Sequence, residues 1–254
     1  MFAFLETPSD LRPWVHCIWT HESAASAGRA PPIAPDGCCE WILHLAQPPL
    51  ALRAGTWRRQ PRTYLFGQLQ RPLLLHSDRA TRCLAVRFKP HAATAILHVP
   101  GSALYPEELM FPDLARSLAF LHGLSGVDTV DRAYRSVVAA LRRLARDART
   151  FDPLVIAAVE ALECNHDEER IAGLARRLGV SSRTLQRRFL DGVGLTPKRF
   201  ARIARMQQGL RLLALPEASA ASVAHTLGYA DQAHLTRELM ALAGVRPGDV
   251  GAPG

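Results

Sequence analysis

The chain has 254 residues, of which 48% are hydrophobic and 21% charged, with a net charge of +8. That composition gives a folded chain with material for one or two cores and excludes a disordered one. No run of about 18 apolar residues is present, so no membrane-spanning helix is expected.

The N-terminal stretch MFAFLETPSDLRPW has no basic segment followed by an apolar core, so it does not read as a secretion signal and the cytoplasm is the expected location. Short apolar and aromatic runs bounded by Pro, Gly and Asp then predict strands at Trp14–Thr20, Cys39–Leu45, Thr63–Phe66, Leu73–His76 and Cys83–Phe88. In the second of these, Trp41, Leu43 and Leu45 share one face, and Glu40, Ile42 and His44 share the other. From Pro90 onward the pattern turns helical. Val127 to Arg149 carries Val130, Tyr134, Val137, Val138, Leu141 and Leu144 at the helical period, with five arginines around the remaining surface. The FDP at 151–153 is a helix start, with Asp152 as cap and Pro153 in the first turn. A domain boundary is expected there, giving an α+β chain: a mixed strand and helix domain over 1–151, then an all-α domain over 152–250. The tail, VGAPG, is expected to fray.

The all-α half contains a repeat. IAGLARRLGVSSRTLQRRFLDGVGLTP at 171–197 is echoed by ASVAHTLGYADQAHLTRELMALAGVRP at 221–247, with Leu185, Arg187, Phe189, Gly194 and Pro197 matching Leu235, Arg237, Leu239, Gly244 and Pro247. Each copy has a short helix, a glycine turn, a capping residue (Ser182 or Asp231), and a second helix with two apolar residues four apart. Two helices on a tight glycine turn form a helix-turn-helix, whose second helix enters the DNA major groove. Between the copies, Pro197–Leu213 predicts one amphipathic helix. Phe200, Ile203, Met206, Leu210 and Leu213 form its apolar side, and Lys198, Arg199, Arg202, Arg205 and Arg211 supply its charge. At about 1.5 Å per residue it spans roughly 25 Å, enough to set two recognition helices in adjacent major-groove segments. From Arg176 to Arg211 there are ten basic residues against one acid, Asp191, the charge pattern that phosphate binding needs.

GVSSRTLQRRF, TPKRFARIARMQQGLRLL, LGYADQAHLTREL and GVRP together resemble the double helix-turn-helix of the AraC/XylS family of transcription regulators, over roughly residues 152–250. PDGCCEWILHL and AVRFKPHAATAIL resemble the N-terminal domain of one subgroup of that family whose ligand is uncharacterised. The resemblance implies a sequence-specific regulator with an N-terminal half that senses a signal or dimerises. Its base-reading positions fall on Arg183, Gln186 and Arg187 in the first unit, and on Gln232, Thr236 and Arg237 in the second. These residue types suit base reading, because Arg pairs with guanine O6 and N7, and Gln with adenine N6 and N7. Ser181, Ser182, Arg188, Lys198, Arg199 and Arg202 are the expected backbone contacts. The second unit departs from the family pattern. Leu239 and Ala243 stand where phenylalanines are common, and Ala233 cannot hydrogen-bond a base, so this unit is expected to bind more weakly. Gly209 stands where alanine is usual, at a cost of up to about 1 kcal/mol in helix propensity and with added flexibility between the units.

Other classes are not expected. Glu40, His44, His16, His21, His76 and His91 lack compact metal-ligand spacing, so satisfied or exposed histidines are expected and no metal or cofactor. Some proteins with this module transfer alkyl groups to a zinc-bound cysteine, but the five cysteines form no CxxC pair. No Walker loop, nucleophile elbow or HExxH is present, and the chain is not expected to be an enzyme. A thiol sensor at Cys38 or Cys39 is the third class. The partners expected are double-stranded DNA first, with RNA polymerase, a small-molecule effector and a second copy of the chain as further candidates.

Overall fold

The computed structural model describes residues 1–24, 28–104, 108–109, 129–164 and 171–250. A strand-rich N-terminal part precedes a helical C-terminal part, the α+β class. One antiparallel sheet has the order β1 (Phe2–Leu5), β2 (Val15–Ser23), β9 (Thr81–Phe88), β4 (Glu40–His44), β7 (Thr63–Phe66), β10 (Glu108–Leu109). A second has the order β3 (Gly28–Arg29), β8 (Leu75–Ser77), β5 (Leu50–Arg53), β6 (Thr56–Arg59).

In the first sheet β4 pairs with β9 so that Trp41 faces Val86 and Leu43 faces Leu84 across the ladder. These residues are buried with Ile18, Leu65 and Phe88. The cover is α1 (Ala93–Leu97) and α2 (Val130–Arg146), whose Val137, Val138, Leu141 and Leu144 join the same core. The apolar stripe expected from Val127 onward is therefore the face laid on the sheet; its first two residues lie outside the described residues, as do 251–254 of the tail.

The helical part follows as α3 (Pro153–Cys164), α4 (Ile171–Arg177), α5 (Ser182–Val193), α6 (Pro197–Leu213), α7 (Ala220–Thr226) and α8 (Gln232–Leu242). Asp152 starts α3 by accepting from the Leu154 N–H at 2.9 Å. Two further cores form here. Val155, Leu162, Leu174, Leu185, Phe189 and Phe200 make one, and Met206, Leu213, Val223, Leu235 and Leu239 the other. The helix α6 contributes to both, so it is a shared wall between two small units as well as a spacer.

Gly209 lies inside that wall. A methyl group there would meet Leu227 at 3.5 Å and Leu235 at 3.7 Å, which is ordinary van der Waals contact. The cost expected of this glycine is thus propensity without any steric requirement for it. Gly209→Ala is expected to raise stability by up to about 1 kcal/mol in urea denaturation. A loss of stability would mean that the small gap at this crossing is required.

The N-terminal part is docked on the helices. The Thr94 hydroxyl donates to the Gly192 carbonyl at 2.9 Å, and the fully buried Gln68 amide donates to the Val193 carbonyl at 2.8 Å. These carbonyls sit at the C-terminal end of α5, where the helix itself supplies no donors. Gly101 approaches so closely that a methyl group on it would lie 2.0 Å from the Leu190 carbonyl oxygen.

Candidate nucleic-acid interface

In the first unit α4 ends in a turn at Gly179, whose φ is +69°. The cap of α5 is Ser181, not Ser182 as the sequence suggested. Ser181 is the last extended residue, with φ −72° and ψ 152°, and its oxygen accepts from the Thr184 N–H at 3.1 Å. Ser182 is already helical and half-buried. Leu185, Phe189 and Val193 are fully buried, with the Phe189 ring 5.5 Å from that of Phe200. Helical geometry then turns Arg183, Gln186 and Arg187 outward as i, i+3 and i+4 neighbours, and all three are exposed.

The second unit repeats this plan. The turn glycine, Gly228, has φ +68°, and Asp231 caps α8 by accepting from the His234 N–H at 2.6 Å. Leu235, Leu239 and Leu242 are buried. Gln232, Ala233 and Arg237 are exposed, while Thr236 is half-buried and donates its hydroxyl proton to the Gln232 carbonyl at 2.9 Å. His234, next to these positions, is tied down locally. Its ring accepts from the Ala230 N–H at 3.3 Å and meets Tyr229 edge-on at 5.2 Å.

Several arginines of the basic block, expected to contact the DNA backbone or to supply charge to α6, make contacts within the protein. Arg188 forms a two-pronged ion pair with Asp152 at the start of α3, one arm measuring 2.6 Å. Arg202 does the same to Glu238 on α8, at 3.1 and 2.7 Å. Arg199 donates to the Gln70 carbonyl of the N-terminal part. Arg205, expected among the charges of α6, is only 5% exposed, and its guanidinium lies 4.4 Å from the centre of the Tyr229 ring. Planar guanidinium forks prefer a fixed bidentate acceptor to a solvated surface, so these side chains join elements. Of the expected backbone contacts, Ser181 and Lys198 are exposed.

The Asp152 carboxyl feels two opposing effects. Its partial burial pushes its pKa up, and the Arg188 guanidinium with the Leu154 and Val155 N–H groups pulls it further down, leaving it below the ordinary value of 3.8. A lowered pKa gives stability that is present above the ordinary value and lost as pH falls through the folded one. Asp152→Asn keeps a capping side chain and removes the charge. The variant is expected to be less stable than wild type at pH 7 and to converge with it only as the pH falls below 3.8 and through the lowered pKa of Asp152. An equal deficit at both pH values would contradict the ion pair as the cause.

The N-terminal sheet holds a second set of polar groups. Glu40 accepts from Arg87 at 2.8 Å and from the Trp19 indole at 3.1 Å, and Arg87 also reaches Asp36 at 3.1 Å. Burial pushes the Glu40 carboxyl up, against the opposing pull of Arg87. His44 is 5% exposed, and burial lowers its pKa to about 4, so it is neutral at physiological pH. Burial pushes the Cys38 and Cys39 thiols up, which makes reactive thiolates scarce. Among the described residues no group of three or more His, Cys, Asp or Glu side chains is placed to hold a metal ion. Also among the described residues, no helix is long and apolar enough to cross a membrane.

The groups that the sequence did not single out are those joining the two parts, the Gln68 and Thr94 side chains and the Gln70 carbonyl, together with Glu238, which joins α8 to α6. Glycines at 37 and 101 and the prolines of PPIAPDG were the available signal, since both residue types mark close approaches of backbone.

Residues 174–252 match a family model described as a helix-turn-helix domain. Residues 5–110 match a domain of unknown function, DUF6597. A curated protein of Streptomyces lividans, described as an AraC-like transcription regulator, is 35% identical over 102 residues; the match spans 39% of this chain and 33% of that protein. The fold resembles that of ToxT from Vibrio cholerae, with a TM-score of 0.52 at 10% identity over 91% of this chain and 96% of that one. The DNA-binding domain of AdpA, solved in complex with a target DNA, is 31% identical over 40% of this chain and 91% of that one, at a TM-score of 0.37. The C-terminal part, with its paired helix-turn-helix units, is thus similar to the matching stretch of an AraC-like transcription regulator.

Proposed function

We propose that the chain binds duplex DNA through both helix-turn-helix units, in the cytoplasm, and regulates transcription under control of its N-terminal part. The observation that carries this reading is the exposed trio Arg183, Gln186 and Arg187, backed by the buried Leu185 and Phe189 and offered at the start of a capped helix. The trio would read bases in one major-groove segment. Gln232, Thr236 and Arg237 would read the next more weakly, because Ala233 adds no hydrogen bond and Thr236 already donates within its own helix. Ser181, Ser182 and Lys198 would position the backbone. Arg188, Arg199 and Arg202 would hold the domain in the shape that binds, a change from the phosphate role the resemblance suggested for them.

The proposed boundary between the parts, at 151/152, is supported by the separation of the cores: one ends at Leu144 and the next begins at Val155. A cleft of ≈ 330 Å³ lies at this junction, lined by His91, Thr94, Phe151, Asp152, Arg188 and Gly192 among others. It touches both parts and is one candidate site for an effector. ToxT has been solved bound to an unsaturated fatty acid, and an effector for this chain is proposed only as a small molecule. RNA polymerase and a second copy of the chain remain candidate partners.

The test is the salt dependence of affinity for a duplex. Each phosphate neutralised contributes a slope of about −0.9 in log K against log salt. Because four arginines of the basic block are held within the protein, the expected slope is well short of one unit for each of the ten basic residues between 176 and 211. An affinity indifferent to salt would remove the proposed mode of binding.

A further inference from the structure

A second connection between the two helix-turn-helix units runs beside α6. The segment Pro31–Gly37 leaves the N-terminal sheet and lies along the helical part. At one end a methyl group on Gly244, just past α8, would touch Pro72 at 3.2 Å and Pro32 at 3.4 Å. Ala34 packs against the second unit's core. Midway, the Gln207 amide on α6 donates to the Pro35 carbonyl at 2.6 Å. At the other end Gly37, with φ +77°, lies so close to the Phe200 ring that a methyl group on it would sit 2.7 Å from a ring carbon. The buried Gln68 amide then joins the Gly37 carbonyl, at 3.2 Å, to the Val193 carbonyl at the end of α5, at 2.8 Å.

A second run, Gln68–Leu73, joined to the first by an antiparallel bridge, doubles this path. Ile33 and Leu73 exchange backbone hydrogen bonds at 2.9 Å, and Gln70 receives Arg199 from α6. The pair of segments is anchored to the sheet by charge. Asp36 accepts from the Cys38 N–H at 2.9 Å and pairs with Arg87, which also holds Glu40 on β4.

We propose that this double strap fixes the spacing and rotation of the two recognition helices, with Asp36, Gln68 and Gln207 as positioning residues for two-part DNA sites. The proposal rests on the two-unit reading given above. Its physical basis is that α6 alone is a single helix carrying Gly209, whereas the strap touches unit one, α6 and unit two in turn. One base pair more between half-sites moves the second groove segment by about a tenth of a helical turn of roughly 34–36 Å. A rigidly strapped pair of helices cannot follow that step; a pair joined by α6 alone can bend toward it.

The experiment is selection from a random-sequence duplex library by the full chain, for wild type, Gln207→Ala and Asp36→Asn. Gln207→Ala is the milder change, since Gln207 is partly exposed and alanine is a good helix former. Wild type is expected to enrich two-part sites of a single spacing. Both variants are expected to enrich the same half-site sequences over a wider range of spacings. Their discrimination against a site lengthened by one base pair should fall by about fivefold, the effect of one hydrogen bond. A purely structural role would lower affinity for all sites alike and leave the spacing untouched. Retention of the single wild-type spacing by both variants would overturn the strap alone. If wild type enriched only single half-sites, the two-unit reading would fail and the strap with it.

Discussion

Arg187→Ala is expected to lower affinity for a selected duplex site by about 5- to 150-fold, the equivalent of about 1–3 kcal/mol for a bidentate base contact. The side chain is exposed, its helix is capped at Ser181, and Leu185 and Phe189 fix the rotation that presents it. Arg237→Ala, the matching change in the second unit, is expected to cost less. Its neighbours offer fewer hydrogen bonds: Ala233 has none to give, and Thr236 donates to Gln232. Binding titrations of the two variants on one duplex decide the point. Equal losses would contradict the asymmetry between the units. Both variants are expected to melt with wild type, since neither exposed arginine supports a core.

Phe189→Ala is expected to act in the opposite way, on folding first. Phe189 is fully buried on α5 and meets Phe200 of α6 at 5.5 Å, ring edge to face. Truncating such a buried ring costs about 3–5 kcal/mol, a large share of the roughly 5–15 kcal/mol that holds a typical domain folded. The expected result in urea denaturation is a transition at markedly lower denaturant, with DNA binding lost where the first unit is unfolded. A loss under about 1 kcal/mol would mean that the core of the first unit is not built around this ring pair. The second unit has leucine at the equivalent position, Leu239, and a smaller core, so it has less to lose at one site.

The contrast between these two residues reflects which parts of the molecule were readable in the sequence. The repeat was readable because helix periodicity is local. Two apolar residues four apart, a glycine turn and a capping residue predict both units, and the range expected for the linker helix, Pro197–Leu213, is the range found. Outward positions follow from inward ones by geometry, which is why the structure brings Arg183, Gln186 and Arg187 to one exposed face.

What an exposed-looking arginine does is not local. Arg188 and Arg202 have helical neighbours that would suit phosphate contacts, yet each finds a carboxylate 36 residues away, on Asp152 and Glu238. The Gln68 amide reaches a carbonyl 125 residues on. No spacing rule reports such pairs. The strands show the same limit. The hairpin β5–β6 turns on Ala54-Gly55, with Ala54 at φ +46°, in place of the Asn-Gly or Asp-Gly pair that signals a two-residue turn. The edge strand β1 is almost wholly exposed, so it carries no buried alternation to detect. The Ser182 expectation erred by one residue, because two adjacent serines are equivalent in sequence and only backbone geometry distinguishes the extended one.

Guanine methylation protection, on a selected duplex bound by the full chain, tests most directly whether one chain sets two recognition helices into successive major-groove segments. The expected result is two protected windows on one face, centred about 10–10.5 base pairs apart, with the stronger protection at the window that weakens in Arg187→Ala. Protection at a single window, or two windows on opposite faces of the duplex, would contradict it.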